Sequence, residues 1–65
     1  MEETIGERIR RMRQERGLSQ RELESPGVTY AYISRLEAGT RRPSEKALRT
    51  LADRFGVTPL FLESG

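Results

Sequence analysis

The sequence contains no cysteine and no histidine, and each absence excludes a kind of chemistry. Without cysteine there is no disulfide, which is typical of proteins from a reducing compartment, so we expect a cytoplasmic location. Without histidine the commonest metal ligand and general base are missing. No glycine-rich phosphate loop and no pair of acidic catalytic residues is apparent either. The sequence therefore predicts that the chain is not an enzyme and takes no metal and no cofactor.

Long apolar stretches are also missing, and the chain is short. No run of residues approaches the roughly 20 apolar residues of a membrane span. A chain of 65 residues buries only about 60% of the surface that its unfolded form exposes. We therefore expect a single domain over residues 1–65, and a binding module rather than an enclosed active site.

The positive charge of the chain is concentrated in its middle. The basic residues are eleven arginines and one lysine, and the formal net charge is +2. The charges of the two flanking segments cancel, so the whole excess lies in residues 25–44. The charged residues there are Arg35, Arg41, Arg42 and, as the one acidic residue, Glu37. Such a localised basic segment is suited to a phosphate backbone.

Start and stop signals along the chain predict five helices and no strand, and hence an all-α domain. The first helix covers about residues 5–16. Thr4 and Glu7 fit a capping box at its start, in which each side chain accepts the backbone N–H of the other residue. Gly17 ends it. Its inward apolar stripe consists of Ile5, Ile9 and Met12.

The second predicted helix is short and covers about residues 20–24. Ser19 and Glu22 fit another capping box at its start. Pro26 disfavours helical geometry at Ser25, so the helix ends there and the chain turns.

Three further helices are predicted after this turn. The third lies between the N-cap Thr29 and the stop signal Gly39. The fourth lies between the N-cap Ser44 and the terminator Gly56. The fifth begins at Thr58-Pro59, because proline is favoured at the first helical position. The residues of this last helix that we expect to close the core are Leu60, Phe61 and Leu62.

The outward face of the third predicted helix has an unusual composition. On a helical wheel of 100° per residue, Ile33 and Leu36 point to the core. The residues on the opposite side are Ala31, Ser34, Arg35 and Ala38. Small residues let a helix enter a groove deeply, and one arginine can then donate to O6 and N7 of guanine. The alternative is a small-residue patch that packs on another protein chain, so this face alone leaves both partners open.

Three motifs follow one another in a characteristic order and spacing. They are Gly17-Leu18-Ser19-Gln20, the run GVTYAYISRLEAG from Gly27 to Gly39, and Arg42-Pro43-Ser44. Together they resemble the Cro/repressor-type (Xre-type) helix-turn-helix family, over roughly residues 4–63. The resemblance implies a compact, lambda repressor-like domain of five helices. Its third helix, the recognition helix, would lie in the major groove of DNA while the second lies across the backbone.

The resemblance also implies a biological role. Members of the family are mostly bacterial or phage transcription regulators, and many act as dimers on palindromic operators. The implied function is sequence-specific binding of double-stranded DNA by a repressor, as a homodimer that is nucleoid-associated when bound. The chain would be this domain alone or the front of a longer regulator. The competing class is a protein-interaction module, such as an antitoxin-like or adaptor chain on the same fold, which an exposed apolar patch at residues 60–62 would serve.

Site residues follow from motif position within the resemblance. The residues at positions that commonly face base edges are Tyr30, Ala31, Ser34 and Arg35. Those at positions that commonly contact phosphates are Gln20, Thr29, Thr40, Arg41 and Arg42. Tyr32 lies at the edge of the core direction, so partial packing and a phosphate hydrogen bond are both open for it. Arg13 and Glu37 match a pair that often forms a salt bridge between two helices.

One departure from the family pattern lies in the turn before the recognition helix. Leu23 is followed by Glu24, where the family usually has alanine, and Gly27 comes one residue early. Pro26 also lies inside the turn. A shorter turn bears directly on the tilt of the recognition helix.

The other arginines of the first predicted helix are expected on a solvated face. They are Arg8, Arg10, Arg11 and Arg16. Most have a glutamate at helical spacing, as Arg11 has in Glu7. Arg10 is the one best placed to reach the DNA backbone as well.

Overall fold

The structure, a computed structural model, describes residues 2–65, and this part of the chain contains four helices and no strand. The helices are α1 (Ile5–Glu15), α2 (Tyr30–Ala38), α3 (Glu45–Phe55) and α4 (Pro59–Ser64). α1 packs against α2 and α4, and α3 packs against α4. The all-α prediction is confirmed, whereas the prediction of five helices is wrong by one. Among these residues, every helix falls short of the length and hydropathy that crossing a bilayer requires.

The four helices begin where the sequence predicts. Glu7 N–H donates to Thr4 Oγ1 at 3.1 Å and Thr4 N–H donates to Glu7 Oε1 at 2.8 Å, so the predicted capping box is present. The N-caps of the later helices, each of which accepts a backbone N–H, are Thr29, Ser44 and Thr58. These side chains satisfy donors that the first turn of a helix leaves free.

The helix ends also agree closely with the sequence. Gly39 and Gly56 are the C-caps of α2 and α3, both in the left-handed conformation that glycine adopts without steric cost. α1 ends at Glu15, one residue before the predicted end.

The prediction of a helix over 20–24 is wrong, because this segment forms a single turn. Leu23 N–H is shared between the carbonyl oxygens of Ser19 and Gln20, at 3.2 Å from each. The capping box of Ser19 and Glu22 is present, with N···O distances of 2.8 and 3.0 Å. A start signal alone does not make a helix, since propagation needs further turns beyond the cap.

The chain reverses immediately after this turn. Ser25 and Val28 exchange two backbone hydrogen bonds, of 3.0 and 2.8 Å, across Pro26 and Gly27. Pro26 keeps Ser25 out of the helical region, and Gly27 supplies the positive φ, 82°, that the reversal needs. The reversal therefore leaves no room for a second helical turn.

Arg54 of α3 occupies the hydrogen-bonding positions that the single turn leaves open. Its guanidinium donates to the carbonyl oxygens of Glu22 at 2.8 Å, Glu24 at 3.2 Å and Leu23 at 3.5 Å. It also donates to Ser25 Oγ at 3.3 Å. The last carbonyl groups of a helical turn need partners from elsewhere, so one side chain joins the turn to α3.

The hydrophobic core is a single cluster of buried residues from all four helices and the turn. Its members are Ile9, Met12, Leu23, Val28, Ile33, Leu36, Ala47, Leu48, Leu51, Ala52, Phe55 and Leu62. The prediction that residues 60–62 close the core holds for Leu62 alone. Leu60 is 70% exposed and Phe61 is 42% exposed. A helix of six residues turns only one side toward its neighbours, so its other apolar side chains face outward.

The backbones of α1 and α2 approach each other closely at Gly6. A Cβ atom at this position would lie 2.1 Å from the carbonyl oxygen of Leu36. Only glycine allows this approach, because any side chain would collide with the backbone of α2. Gly6 thus helps to fix α2 against the rest of the domain.

Candidate nucleic-acid interface

The outer face of α2 carries small side chains around one arginine. Ser34, Arg35 and Ala38 are exposed, and Ala31 is half-buried. Ile33 lies on the opposite side and is fully buried, which is the orientation that the helical wheel predicts. Arg35 forms no ion pair with any residue of the described range. Its guanidinium is therefore free to bind an external acceptor.

The N-terminal end of α2 is capped by two side chains. Thr29 Oγ1 accepts Tyr32 N–H at 3.2 Å, and Glu24 Oε2 accepts Tyr30 N–H at 2.8 Å. Glu24 is the residue that departs from the family pattern, and here its charge stabilises the positive end of the helix dipole. Sequence reasoning noted the departure but did not find this role, which depends on how the turn folds back.

The loop after α2 forms the second basic part of the surface. Arg41 and Arg42 are exposed, and neither forms an ion pair with a described residue. The Thr40 hydroxyl donates to the carbonyl oxygen of Arg35 at 3.2 Å. It would have to rotate away from that carbonyl to donate to a phosphate, whereas the two arginines need no such change.

Tyr32 packs against the core and also hydrogen-bonds to the next helix. Its ring lies against the buried residues, and its hydroxyl oxygen accepts Ser44 N–H at 2.9 Å. The guanidinium carbon of Arg41 lies 5.8 Å from the centre of the Tyr32 ring. Partial packing is thus what the structure has, and the hydroxyl hydrogen remains available for a phosphate.

The structure brings Arg13 of α1 and Glu37 of α2 together on the side of α2 that faces α1. Arg13 Nε and Nη2 donate to the two Glu37 carboxylate oxygens at 2.7 and 3.0 Å, and Nη1 donates to the carbonyl oxygen of Leu18 at 2.8 Å. The two charged side chains are 13% and 5% exposed. The hydrogen bonds from Arg13 to Glu37 raise the pKa of Arg13 above its ordinary value, because the carboxylate favours the charged guanidinium.

Gln20 extends this pair toward the turn. Its Nε2 donates to Glu37 Oε1 at 3.2 Å, and the residue is half-buried. One amide hydrogen is therefore used inside the domain, and the other is left for a phosphate, the partner that motif position assigns to it.

The prediction of a solvated face is wrong for Arg8, whereas Arg16 is exposed and also hydrogen-bonds to another helix. Arg8 is 8% exposed and donates to the carbonyl oxygen of Leu62 at 3.1 Å. Arg16 donates to the carbonyl oxygen of Phe55 at 2.8 Å and lies over the Phe55 ring at 5.2 Å. Both long side chains cover apolar surface where helices meet. Arg8 lies one turn before the buried Met12, and this spacing is the sequence signal that indicates its burial.

Arg10 and Arg11 are exposed, as the sequence predicts. Arg11 does not pair with Glu7, whose carboxylate is taken by the capping box. It pairs instead with Glu3 at 2.7 Å and with Glu15 at 3.1 Å. Arg10 borders a groove between α1 and α2, next to the exposed Ser34 and Ala38 of α2.

Comparison with known proteins agrees with this architecture. A helix-turn-helix family model matches residues 9–62 of the chain. An uncharacterised HTH-type transcriptional regulator of Sinorhizobium fredii, y4dJ, is 39% identical over 59 residues, which are 89% of this chain and 77% of that protein. The HTH-type transcriptional regulator DdrOP3 of Deinococcus deserti is 40% identical over 53 residues, and these are 80% of this chain. The chain spans only 41% of the length of DdrOP3.

A solved structure shares nearly the whole fold. The P22 c2 repressor, in complex with a synthetic operator, has a TM-score of 0.90 to this chain at 29% sequence identity, over 98% of both chains. The shorter turn at Pro26 thus leaves the overall fold unchanged. The family model covers most of the residues, and the regulator of Sinorhizobium fredii is similar over most of its own length. The chain belongs to the helix-turn-helix family of the Xre/lambda-repressor type.

Proposed function

We propose that this chain is a sequence-specific DNA-binding domain that regulates transcription, with α2 as the recognition helix in the major groove. The outer face of α2 is the observation that carries this proposal. Ser34 and Ala38 are small and exposed, and Arg35 between them has no acidic partner among residues 2–65. The major groove of B-DNA, about 12 Å wide, admits a helix with such a face.

Basic side chains flank this face where a phosphate backbone would run. Arg10 borders one groove beside Ala38, and Arg41 and Arg42 border a second groove beside the same residue. Contacts to phosphates fix the register of a protein on the duplex, and contacts to base edges give it specificity. The arrangement of one arginine on the face and several at its rim supplies both kinds of contact.

The assignment of individual contacts follows this division. We assign base edges to the residues on or beside the outer face of α2, which are Tyr30, Ala31, Ser34 and Arg35. We assign phosphates to the residues around it, which are Gln20, Thr29, Tyr32, Thr40, Arg41 and Arg42. The outcome of binding near a promoter would be repression, which is what the bound P22 c2 repressor is named for.

We further infer that two copies bind one palindromic operator through α4. One domain offers one recognition helix and therefore reads one half-site. Leu60 is 70% exposed, and charges of both signs surround it in Arg49, Glu45 and Glu63. A two-fold axis through such a patch would place opposite charges together and bury the apolar centre.

Selection of binding sites from a random DNA pool tests the function and the dimer together. We expect a palindromic consensus and tighter binding of the full site than of an isolated half-site. Leu60→Asp should remove the advantage of the full site and leave half-site binding intact, which makes the half-site duplex the internal control. Failure to select any sequence would contradict DNA recognition. It would favour a protein-interaction module, for which Leu60 and Phe61 provide the exposed apolar contact.

A further inference from the structure

Arg21 and Tyr30 form a stacked pair at the N-terminal end of α2, and the motif-based assignment gives Arg21 no role. The guanidinium carbon of Arg21 lies 4.1 Å from the centre of the Tyr30 ring, and both residues are exposed. A planar guanidinium is attracted to the face of an aromatic ring and stacks on it. The stack therefore holds the Arg21 head group at one place on the surface.

The stack leaves the hydrogen-bond donors of Arg21 unused. It involves the flat face of the guanidinium, while all five N–H groups point outward from the edge. Within the described residues, the Arg21 side chain forms no hydrogen bond and no ion pair. Arg13 and Arg54, in contrast, spend their donors on groups inside the domain. An oriented guanidinium with free donors suits a ligand that presents two acceptors in one plane.

We propose, on the basis of the proposed function, that Arg21 reads a guanine at the end of the half-site nearest the N-terminus of α2. Guanine offers O6 and N7 in the major groove, and arginine is its commonest partner there. The N-terminal residues of a recognition helix contact base edges, and Tyr30 is the first residue of α2. A specificity-determining residue thus lies outside the recognition helix and is held at the groove by a residue of that helix.

The position of Glu24 favours a base over a phosphate as the partner of Arg21. Glu24 Oε2 accepts the backbone N–H of Tyr30 at 2.8 Å, so a negative charge is fixed on the residue that carries the stack. A phosphate bound by Arg21 would bring a second negative charge to this end of α2, and juxtaposed like charges oppose binding. The edge of a guanine carries no net charge and avoids this repulsion.

The test uses the site that the wild-type chain selects, with each base pair replaced in turn. Arg21→Lys keeps the positive charge but has neither the planar shape nor the paired donors. We expect the preference for one G·C pair to fall about ten-fold or more, while the salt dependence stays as in the wild type. Tyr30→Ala should lower the preference at the same G·C pair. Combining Arg21→Lys with Tyr30→Ala should lower this preference no more than Arg21→Lys alone, because the two residues act as one unit.

Arg11→Lys is the matched control, because Arg11 is an exposed arginine on α1 that is ion-paired with Glu3 and Glu15. It should keep every base preference. The inference is overturned if Arg21→Lys keeps every preference too. It is also overturned if Arg21→Ala weakens all duplexes equally and lowers the salt slope by about one, which identifies a phosphate contact. A wild-type chain that selects no site contradicts the proposed function itself, which is a different result.

Discussion

The arginines on the two sides of this domain differ in what their hydrogen-bond donors do. Where α1 meets α4 and α3, the buried Arg8 and the more exposed Arg16 donate to backbone carbonyl groups of distant helices. Around α2, Arg35, Arg41 and Arg42 are exposed and pair with no acidic residue of the described range. The residue type is the same on both sides. An arginine stabilises the fold where backbone carbonyl groups of the domain accept its hydrogen bonds. It is available to an external ligand where they do not.

This difference predicts which arginine substitutions lower stability and which weaken DNA binding. Removing an arginine with internal acceptors leaves those acceptors without partners and lowers the free energy of unfolding. Removing one with free donors takes nothing from the fold, and its effect should appear only when DNA is present. Stability and DNA binding should therefore separate along this division.

Glu37→Ala should have the largest effect, and on stability. It removes the partner of Arg13, whose side chain is only 13% exposed, and leaves a buried positive charge unpaired. Breaking a buried ion pair from one side costs about 3–5 kcal/mol. We expect thermal unfolding to show a loss of this size. Glu2→Ala, at an exposed residue, is the control and should change the free energy of unfolding by less than about 0.5 kcal/mol. Equal melting of Glu37→Ala and the wild type would contradict the structural role of the pair.

Arg35→Ala should leave stability unchanged and act on DNA specificity. Loss of a bidentate base contact costs about 1–3 kcal/mol of discrimination at one base pair, expected to be G·C. Arg41→Ala and Arg42→Ala should instead weaken all sequences alike and lower the salt slope by about one unit each. Titration of the three variants against cognate and scrambled duplexes, at several salt concentrations, separates the two behaviours.

These three variants also serve as controls for one another, because each removes one positive charge from an exposed arginine. If Arg35→Ala weakens cognate and scrambled duplexes equally, Arg35 contacts the backbone. In that case the placement of α2 in the groove is wrong, and the short turn at Pro26 is the first feature to re-examine.

The smallest effect concerns acid stability. Hydrogen bonds from Arg11 hold the pKa of Glu3 below its ordinary value of 4.5. A lowered pKa in the folded state adds stability above the unfolded pKa, and this contribution is lost as the pH falls through the folded pKa. Glu3→Gln should therefore lower the melting temperature slightly at neutral pH and flatten its decline below pH 4.5. Identical pH profiles of the variant and the wild type would show that this exposed cluster contributes nothing.

Local signals in the sequence predicted most of the fold. Helix starts such as Thr4 and Ser44, and stops such as Gly39, act within a few residues and are therefore visible in the sequence. The orientation of α2 followed from its own periodicity, with Ile33 buried and Ser34 exposed. The outward position of Arg35 could be predicted for the same reason, whereas the contacts assigned to the loop after α2 followed from the resemblance to the family.

The features that sequence reasoning missed depend on contacts between distant segments. The second capping box is real, but Arg54 and the reversal at Pro26 decide that only one turn follows it. The need for glycine at position 6 arises only from the backbone of α2, which packs directly against it. The stack of Arg21 on Tyr30 likewise joins residues from two elements. No local pattern contains this information.

The Arg54 contacts make the turn before α2 depend on a helix that lies much later in the chain. The guanidinium that occupies the carbonyl groups of the turn comes from a residue about thirty positions further along the chain. Bringing these segments together requires closure of a long loop, whose entropy must be offset by the contacts that it makes. We therefore expect that the helix-turn-helix does not fold as an autonomous unit. A fragment that ends at Ser44 retains every proposed DNA contact yet lacks α3, and we expect it to be unable to hold those contacts in place.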